Sequence, residues 1–242
     1  MPPVTAPAFL RARWMHLAMA NYEVDPGTLR PLVPRGTELD YWGGRCFVSV
    51  VGFQFLKTRV LGLSVPWHRN FLEVNLRFYV RREAGAELKR GVVFVKEIVP
   101  RRAIAWIANA LYNEKYVALP MSHHDELDAP SRRLRYEWRH RGEACCLAMA
   151  LSSEAALPAH GSFESFITEH YWGYTAQRDG STLEYQVEHP AWRVWHATQS
   201  QLICDVPTLY GPAFAPFLSK SAESCFVAEG SEVLVRRGRI VA

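Results

Sequence analysis

The chain has 242 residues, of which 49% are hydrophobic and 21% are charged. This balance supplies enough apolar side chains for a sizeable core and excludes an intrinsically disordered protein. Lys and Arg together number 28 against 24 Asp and Glu, so the net charge is only +4. Because this mild charge comes with no RNA-binding motif, we expect no nucleic-acid partner.

The sequence also predicts a compartment. No run approaches the ~18 consecutive apolar residues of a membrane span. The N-terminal MPPVTAPAFLRARW lacks the basic start and apolar stretch of a signal peptide. The five cysteines form no C-x-x-C or zinc pattern. We therefore expect five free thiols in a soluble, cytoplasmic protein that contacts no membrane and uses no metal or cofactor.

The first half of the chain predicts strands with short helices between them. Asp25-Pro26 indicates a helix start, because Asp is a good N-cap and Pro suits the first helical position. ELDYWGGRCFVSVVGFQF, residues 38–55, predicts a strand, a Gly-Gly turn and a second strand. Residues 71–82 and 91–99 predict two neighbouring antiparallel strands joined by the polar loop EAGAEL. The apolar spacing in PRRAIAWIANALYN, residues 100–113, predicts a helix.

The second half predicts a hairpin, a helix and three more strands. SRRLRYEWRHRG alternates apolar and polar side chains, and GEACCLAMALSS is the expected returning strand. SFESFITEHYWGY predicts a helix that starts at Ser162. The last strands are expected near residues 182–188, 193–203 and 224–241. Without repeats or Gly- and Ser-rich linkers, the chain predicts one mainly β (α+β) domain over residues 1–242, with antiparallel strands and a few short helices.

The first candidate site is the strand FLEVNLRFYV, residues 71–80. Successive side chains of a strand point to opposite faces. One face is therefore apolar, and the other carries Glu73, Asn75, Arg77 and Tyr79. Asn and Tyr are less usual than Lys, Glu or Thr on an exposed strand, which favours an internal pocket over a solvent-facing surface. A buried guanidinium needs a partner, and Glu73 is the nearest candidate on that face.

A second candidate segment is YNEKYVALPMSHHDE, residues 112–126. It places Asn113, Glu114, His123 and His124 around an apolar stretch. The paired histidines with nearby acids could bind a metal. Adjacent side chains on extended backbone point apart, however, so a loop rich in polar residues is the favoured interpretation.

Two further segments carry chemistry with a structural alternative. In TEHYWGYT, residues 168–175, His170 and Tyr171 could donate to a ligand, or they could form a core-facing helix end. RRLRYEWRHR, residues 132–141, interleaves Arg with aromatic residues as a single-stranded nucleic-acid surface does. A solvated basic strand face is the favoured interpretation there. No Gly-rich phosphate loop, G-x-S-x-G or H-E-x-x-H motif is present, so nucleotide-binding and α/β-hydrolase functions receive little support.

Together, several of these motifs resemble a known family. FLEVNLRFYV, GVVFVKEIV, ALYNEKYVALP, FITEHYWGYT and VEHPAW are similar, in order and spacing, to the YqjF-like family of uncharacterised bacterial proteins. The resemblance runs from about Trp14 to Val241. That family resembles the acetoacetate decarboxylase-like superfamily. The resemblance implies a closed antiparallel β-barrel or cone around an internal pocket, and so favours the pocket interpretation of residues 71–80.

The resemblance also implies a difference in mechanism. Acetoacetate decarboxylase uses a Schiff-base lysine whose pKa is lowered by its surroundings. When the prolines are matched, Met121 and Ser122 stand where the decarboxylase has a lysine pair. Glu73 would match the acid of the family's tyrosine-x-glutamate motif. The acid is thus implied to be kept and the amine lost, unless Lys96 or Lys115 replaces it.

Three hypotheses follow. In the first, the protein binds an organic acid or carbonyl compound: Arg77 holds a carboxylate or enolate, and Glu73 acts as acid or base, with Glu114 as a second catalytic candidate that also orients the ligand. Further ligand contacts come from Asn75, Tyr79, Asn113, His123, His170 and Tyr171. In the second, a lysine-independent lyase or hydratase uses Glu73 with His123 or His170. In the third, the protein is a non-enzymatic scaffold. The ligand and the oligomeric state, a homo-oligomer included, are left open.

Overall fold

The structure is a computed structural model that describes residues 6–64, 69–101, 115–129, 131–152 and 154–242. Most of the described chain is strand, which confirms the predicted mainly β class. The predicted helix within residues 100–113 lies outside the described residues. The strands are β1 (Ala8–Val24), β2 (Glu38–Leu39), β3 (Cys46–Val60), β4 (Phe71–Ala84), β5 (Glu87–Val99), β6 (Tyr116–Ala118), β7 (Met121–Asp125), β8 (Arg133–His140), β9 (Glu143–Leu151), β10 (Trp172–Ala176), β11 (Thr182–Glu188), β12 (Val194–Ile203), β13 (Ser224–Arg236) and β14 (Arg239–Ile240).

The helices that the structure describes are short. They are α1 (Pro26–Leu29), α2 (Phe163–Thr168), α3 (Val206–Leu209) and α4 (Ala215–Leu218), with 3-10 turns at Arg30–Leu32 and Pro212–Phe214. The predicted caps are confirmed: Asp25 accepts a hydrogen bond from the amide of Gly27, and Ser162 accepts one from Ser165. Within the described part of the chain, no helix is both long and apolar enough to cross a membrane.

The strands form one continuous sheet in the order β14-β11-β10-β5-β4-β3-β1-β13-β12-β9-β8-β7. β2 pairs with β4, β6 pairs with β5, and an additional pairing of β11 with β13 joins the strands between them into a ring. Most neighbours are antiparallel, as predicted, but β10 and β6 each pair with β5 in parallel. The extension β12-β9-β8-β7 leaves the ring at β13.

Two apolar clusters lie on opposite faces of the ring strands. The outer core contains Val74, Leu76, Phe78 and Val80 of β4, packed with α1, α3, α4 and the β8-β9 hairpin. The inner core lies on the other face; it contains residues of β1, β3, β4, β12 and β13, among them Met19, Val51, Tyr79, Val194 and Phe226, and the α2 residues Phe166 and Ile167. Because strands such as β3 face a core on both sides, their sequence is almost continuously apolar.

Gly52 of β3 allows the extension to lie close to the ring. A Cβ atom at this position would come within 2.7 Å of the ring of Tyr136 on β8. Tyr136 is fully buried, and its hydroxyl donates to the carbonyl of His16 on β1 at 2.7 Å. Because glycine has no Cβ atom, the Tyr136 ring can lie against the β3 backbone at Gly52. Close approach of this kind is typical of a glycine inside a strand.

The predicted alternation along β4 is confirmed. Leu72, Val74, Leu76 and Phe78 pack in or against the outer core, beneath the helices and the opposite layer of strands. β4 and β5 are antiparallel neighbours, also as predicted. Their register shifts between Leu76 and Arg77: Leu76 pairs with Lys96, whereas Arg77 pairs with Phe94. The bulge therefore lies on β5.

Several predicted boundaries were wrong. The polar segment EAGAEL is mostly strand with a tight turn at Gly85, because long strand pairing continues to the hairpin tip. The helix starting at Ser162 ends at Thr168, and residues 172–176 form β10, because their pairing with β11 and β5 outweighs helical spacing. β1 was not predicted, although it is the longest strand and pairs with both β3 and β13. The predicted 131–153 hairpin and the strands near 182–188, 193–203 and 224–241 are confirmed, with a break before β14.

Candidate functional site

The polar face of β4 points to the inner side of the sheet. We call Glu73, Asn75, Arg77 and Tyr79 the inner polar row. Glu73 is 2% exposed, Asn75 1% and Tyr79 1%, while Arg77 is half-buried. Cross-strand pairing places Val51 of β3 and Glu97 of β5 directly beside Asn75, and Glu97 is also buried. Buried acids and amides normally have hydrogen-bond partners. The partners of the inner polar row therefore show how its side chains are held.

Two hydrogen-bond donors among the described residues contact Glu73. The Nδ2 atom of Asn75 donates to Oε1 at 2.9 Å, and the Tyr116 hydroxyl donates to Oε2 at 3.2 Å. Tyr116 belongs to β6, whose parallel pairing with β5 places it beside Glu97. The carboxyl group of Glu73 is therefore fixed in orientation within the inner face.

Arg77 does not pair with Glu73, contrary to the expectation from their shared face. Residues four apart in a strand are about 13 Å apart along the backbone, too far for a direct pair here. Its Nη2 atom instead donates to the Ile167 carbonyl at 3.3 Å and lies 3.9 Å from the Met19 sulfur. The guanidinium also lies 5.7 Å from the Tyr79 ring centroid. Among the described residues Arg77 has no acidic partner within ion-pair distance, and its buried Nε atom has no hydrogen-bond partner.

Tyr79 ends a short buried hydrogen-bond chain. Ser49 donates to Asn21 Oδ1 at 2.6 Å, so the Tyr79 hydroxyl at 2.5 Å is the donor to Ser49. Asn21 in turn donates to the Ser224 carbonyl at 3.2 Å. The chain crosses β4, β3, β1 and β13 and satisfies the only hydroxyl of the inner polar row.

His170 lies just beyond α2 and packs against the inner polar row. Its ring centroid is 4.7 Å from that of Tyr79, and its side chain is 1% exposed. Nε2 is 3.1 Å from Asp40 Oδ2, which also accepts from Arg90 Nε at 2.7 Å. Burial lowers the pKa of His170 to about 4, although the hydrogen bond with Asp40 opposes this shift. Burial would raise the pKa of Asp40, but its hydrogen bonds with His170 and Arg90 lower it overall.

These shifts define the protonation of the pair near neutral pH. Asp40 is ionised and His170 is neutral. Since a carboxylate can only accept, the proton of the neutral imidazole is on Nε2. Nδ1 is consequently an acceptor, and among the described residues it has no hydrogen-bond partner.

Tyr171 belongs to an aromatic stack beside this group. Its ring centroid is 4.8 Å from that of His189, which stacks on Trp192 at 3.9 Å. Burial lowers the pKa of His189 to about 4, and Arg77 is close enough to contribute to that shift. The stack therefore lies near Arg77, the positively charged residue of the inner polar row.

The remaining predicted residues are not brought into this group. His123 is exposed on β7 and stacks with Tyr136, whose side chain belongs to the outer core. Asn113 and Glu114 lie outside the described residues. Across residues 6–64, 69–101, 115–129, 131–152 and 154–242, no group of three or more His, Cys, Asp or Glu is arranged to hold a metal ion.

All five lysines are described, and each lies away from the inner polar row. Lys89 is buried, 3.0 Å from Glu184 and over the Trp172 ring at 3.6 Å. Lys96 is half-buried and pairs with Leu76, an outer-core residue, so it points to the outer face. The exposed lysines are Lys57, Lys115 and Lys220.

Sequence reasoning did not identify several residues of this group. Asn21 and Ser49 each interrupt an apolar stretch of their strand, residues 17–22 and 46–53, a signal that could have been used. Asp40 lies in the quoted segment 38–55 but was not selected, Arg90 lies outside the quoted segments, and only the fold brings them to His170. Tyr116 was within a quoted segment but was not selected.

Solved structures define the fold class. The fold is similar to that of acetoacetate decarboxylase from Legionella pneumophila, with a TM-score of 0.68 at 14% identity over 100% of this chain and 92% of that one. It is also similar to the enduracididine biosynthesis enzyme MppR complexed with pyruvate, with a TM-score of 0.66 at 13% identity over 99% and 92% of the chains. An acetoacetate decarboxylase-like enzyme from Sphingomonas wittichii RW1 gives 0.65 at 12% identity over 98% and 94%. The protein therefore has the acetoacetate decarboxylase-like fold.

The family follows from the sequence comparison. The chain belongs to DUF2071, a family described as an uncharacterized conserved protein, which matches residues 11–232. It is 28% identical over 207 residues to the uncharacterized protein YqjF of Bacillus subtilis (strain 168), covering 84% of this chain and 81% of YqjF. The resemblance drawn from the motifs is thus confirmed.

Proposed function

We propose that this protein binds a small organic acid or carbonyl compound on the inner face of its sheet, with the ligand's anionic group at Arg77. The observation that carries the proposal is that Arg77 has no acidic partner among the described residues. A half-buried guanidinium is normally paired with an acid, yet the described contacts of Arg77 are a carbonyl oxygen, a sulfur atom and an aromatic ring. A carboxylate or enolate would supply the missing charge and accept from Nε.

The surrounding residues support a binding site for a small polar molecule. Glu73 and Asn75 precede Arg77 on the same face, and Tyr79 with His170 follows it. Tyr171 contributes to the aromatic stack nearby. A few oriented polar groups within an apolar surrounding are typical of small-molecule sites. The neighbour MppR was solved as a complex with pyruvate, which is consistent with this ligand class for the fold.

The proposed site works without a Schiff-base lysine. Met121 packs against the outer core and Ser122 is exposed, with its hydroxyl bonded to Glu137. Lys96 points to the outer face and Lys115 is exposed. Without an amine near Glu73 there is no iminium electron sink, so we do not extend decarboxylase chemistry to this protein.

The test is a binding titration of two- to four-carbon carboxylates by isothermal calorimetry, using wild type and Arg77→Met. The methionine keeps much of the apolar stem and removes the charge. If Arg77 holds the carboxylate, affinity should fall at least about tenfold, as expected for a lost charge-assisted hydrogen bond.

Arg81→Met is the matched control. Arg81 lies on the same strand but is already bonded to Glu38 at 2.8 Å at an exposed position. This variant should bind like wild type. Equal weakening in both variants, or no carboxylate binding by wild type, would contradict the proposal.

A lysine-independent lyase or hydratase is the second candidate. It is favoured by the neutral His170, whose Nδ1 has no hydrogen-bond partner among the described residues and so has the hydrogen-bonding state of a general base. Asp40 holds the imidazole tautomer that leaves this atom free. Turnover of a bound acid that is lost in His170→Asn, with binding retained, would support catalysis rather than binding alone.

A further inference from the structure

We infer that the site selects acids that carry a hydrogen-bond donor, a hydroxyl or an ammonium group, beside the carboxylate, over the matching oxo acids. This inference rests on the proposed function and names the ligand class more narrowly. The acetoacetate decarboxylase-like fold alone would suggest the opposite, since a neighbour was solved with the oxo acid pyruvate. The argument comes from which buried atoms are donors and which are acceptors.

Asn75 presents an acceptor to the inner face. Its Nδ2 atom donates to Glu73 at 2.9 Å, and because a carboxylate can only accept, this bond fixes the orientation of the amide. The Oδ1 atom is then the free end of the side chain. It is buried, and it has no hydrogen-bond partner among the described residues. A ligand group that meets Oδ1 must donate a proton to it.

His170 presents a second acceptor on the other side of Arg77. Its Nε2–H is directed at Asp40, so Nδ1 carries a lone pair and no proton. Nδ1 is also buried without a partner in the described part of the chain. Asn75, Arg77 and Tyr79 follow one another on one strand face, and His170 packs on Tyr79. The guanidinium donor is therefore flanked by acceptors.

This arrangement distinguishes a hydroxyl or ammonium group from a ketone. A ketone oxygen has only lone pairs, so it would face Asn75 Oδ1 or His170 Nδ1 without a hydrogen bond and leave the buried acceptor unsatisfied. A hydroxyl or an ammonium group donates to the same atom. A site that hydrogen-bonds a donor group on its ligand strongly rejects analogues without that donor. A site that distinguishes ligands only by their size discriminates less.

The experiment uses matched ligands that differ only in the group beside the carboxylate. Lactate, alanine and pyruvate form a three-carbon set, and 2-hydroxybutyrate and 2-oxobutyrate form a four-carbon pair. Affinities for wild-type protein are measured by calorimetry at pH 7. In at least one set, a donor-bearing ligand should bind about tenfold or more tightly than its oxo analogue, and the alanine arm separates ammonium from hydroxyl recognition.

The outcomes separate this inference from the proposed function. If oxo acids bind as tightly as their partners or more tightly, through Arg77, the donor preference is wrong and the carboxylate site stands. If no ligand binds, or binding is unchanged in Arg77→Met, the proposed function fails and this inference fails with it.

A variant tests the acceptor itself. Asn75→Ala removes Oδ1 and should reduce the preference for the donor-bearing ligand to about threefold or less. Gln199→Ala, at an exposed polar position on β12, should keep the full preference. A preference retained in Asn75→Ala would overturn the role of Oδ1. If Asn75→Ala does not fold, the wild-type comparison still decides the inference.

Discussion

Replacing Glu184 by Gln should weaken the ion cluster that links β4, β5, β10, β11 and β14. Glu184 on β11 is fully buried and accepts from groups on four other strands. Lys89 on β5 lies at 3.0 Å and Arg82 on β4 at 3.2 Å. Arg239 on β14 approaches at 3.0 Å, and the Tyr174 hydroxyl on β10 donates at 3.2 Å. One carboxylate therefore links five strands.

The magnitude follows from how exposed each partner is. Lys89 is 5% exposed and Arg82 19%, whereas Arg239 is 66% exposed. Losing the partner of a buried charge costs about 3–5 kcal/mol, while an exposed pair contributes about 1 kcal/mol or less. Because glutamine keeps one acceptor oxygen, we expect Glu184→Gln to lower the free energy of unfolding by about 3 kcal/mol, nearly all of it through Lys89 and Arg82.

The assay is urea unfolding at 25 °C, with Glu38→Gln as the control. Glu38 bonds Arg81 at 2.8 Å, but both side chains are well exposed, so this change should cost about 1 kcal/mol or less. Equal costs for Glu184→Gln and Glu38→Gln would refute the reasoning, because burial would then not set the strength of the cluster.

The cluster also predicts a pH dependence. Burial would raise the pKa of Glu184, but hydrogen bonds from Lys89 and Arg239 lower it overall. A carboxyl group whose folded pKa is lowered contributes stability above its unfolded pKa of about 4.3 and loses it as pH falls through the folded value. The difference between wild type and Glu184→Gln should therefore be constant at neutral pH and shrink below about pH 4.

Three further predictions test the chemistry and the organisation of the chain. Borohydride treatment with acetoacetate or pyruvate should leave the intact mass unchanged, and a stable adduct on Lys96 or Lys115 would restore the Schiff-base mechanism. Thiol titration under denaturing, non-reducing conditions should find five thiols, since all five cysteines are free in the structure; three or fewer would contradict this. Limited proteolysis should leave one folded unit, and two separately stable fragments from a cut near residues 84–90 would argue for two domains.

The sequence predicted those parts of the fold that local patterns determine. The alternation in FLEVNLRFYV sufficed to assign the two faces of β4, and Asp25 and Ser162 marked helix starts. β1 escaped prediction because its pattern is interrupted: His16 has a positive φ of 53° where the register with β3 shifts. Residues 172–176 were assigned to a helix as a continuation of the spacing in residues 163–170, although they form a local hairpin with β11 and pair in parallel with the distant β5.

The candidate site was predictable only along a single strand. Period-two alternation predicted that Glu73, Asn75 and Tyr79 share a face, and the residue types with the family resemblance favoured their burial, but their partners were not predicted. Asp40 reaches His170 across 130 positions of sequence, and no local pattern carries that information. The supposed pairing of Glu73 with Arg77 failed because sharing a face does not bring residues four apart into contact.

The extra residue that β5 carries opposite Leu76 has a consequence for the evolution of this fold. Between the β4–β5 turn and the bulge, Arg90, Val92 and Phe94 point to the inner face. Beyond the bulge the alternation is shifted by one residue, so Glu97 points to the inner face and Lys96 does not. If Val95 were not an extra residue and stood alone opposite Leu76, unbroken alternation would place Lys96 opposite Asn75 and turn Glu97 to the outer face. An acid and an amine at the same spot therefore differ by a one-residue shift of β5 against β4 and not by a substitution, so the bulge sets which of the two chemistries this part of the scaffold presents.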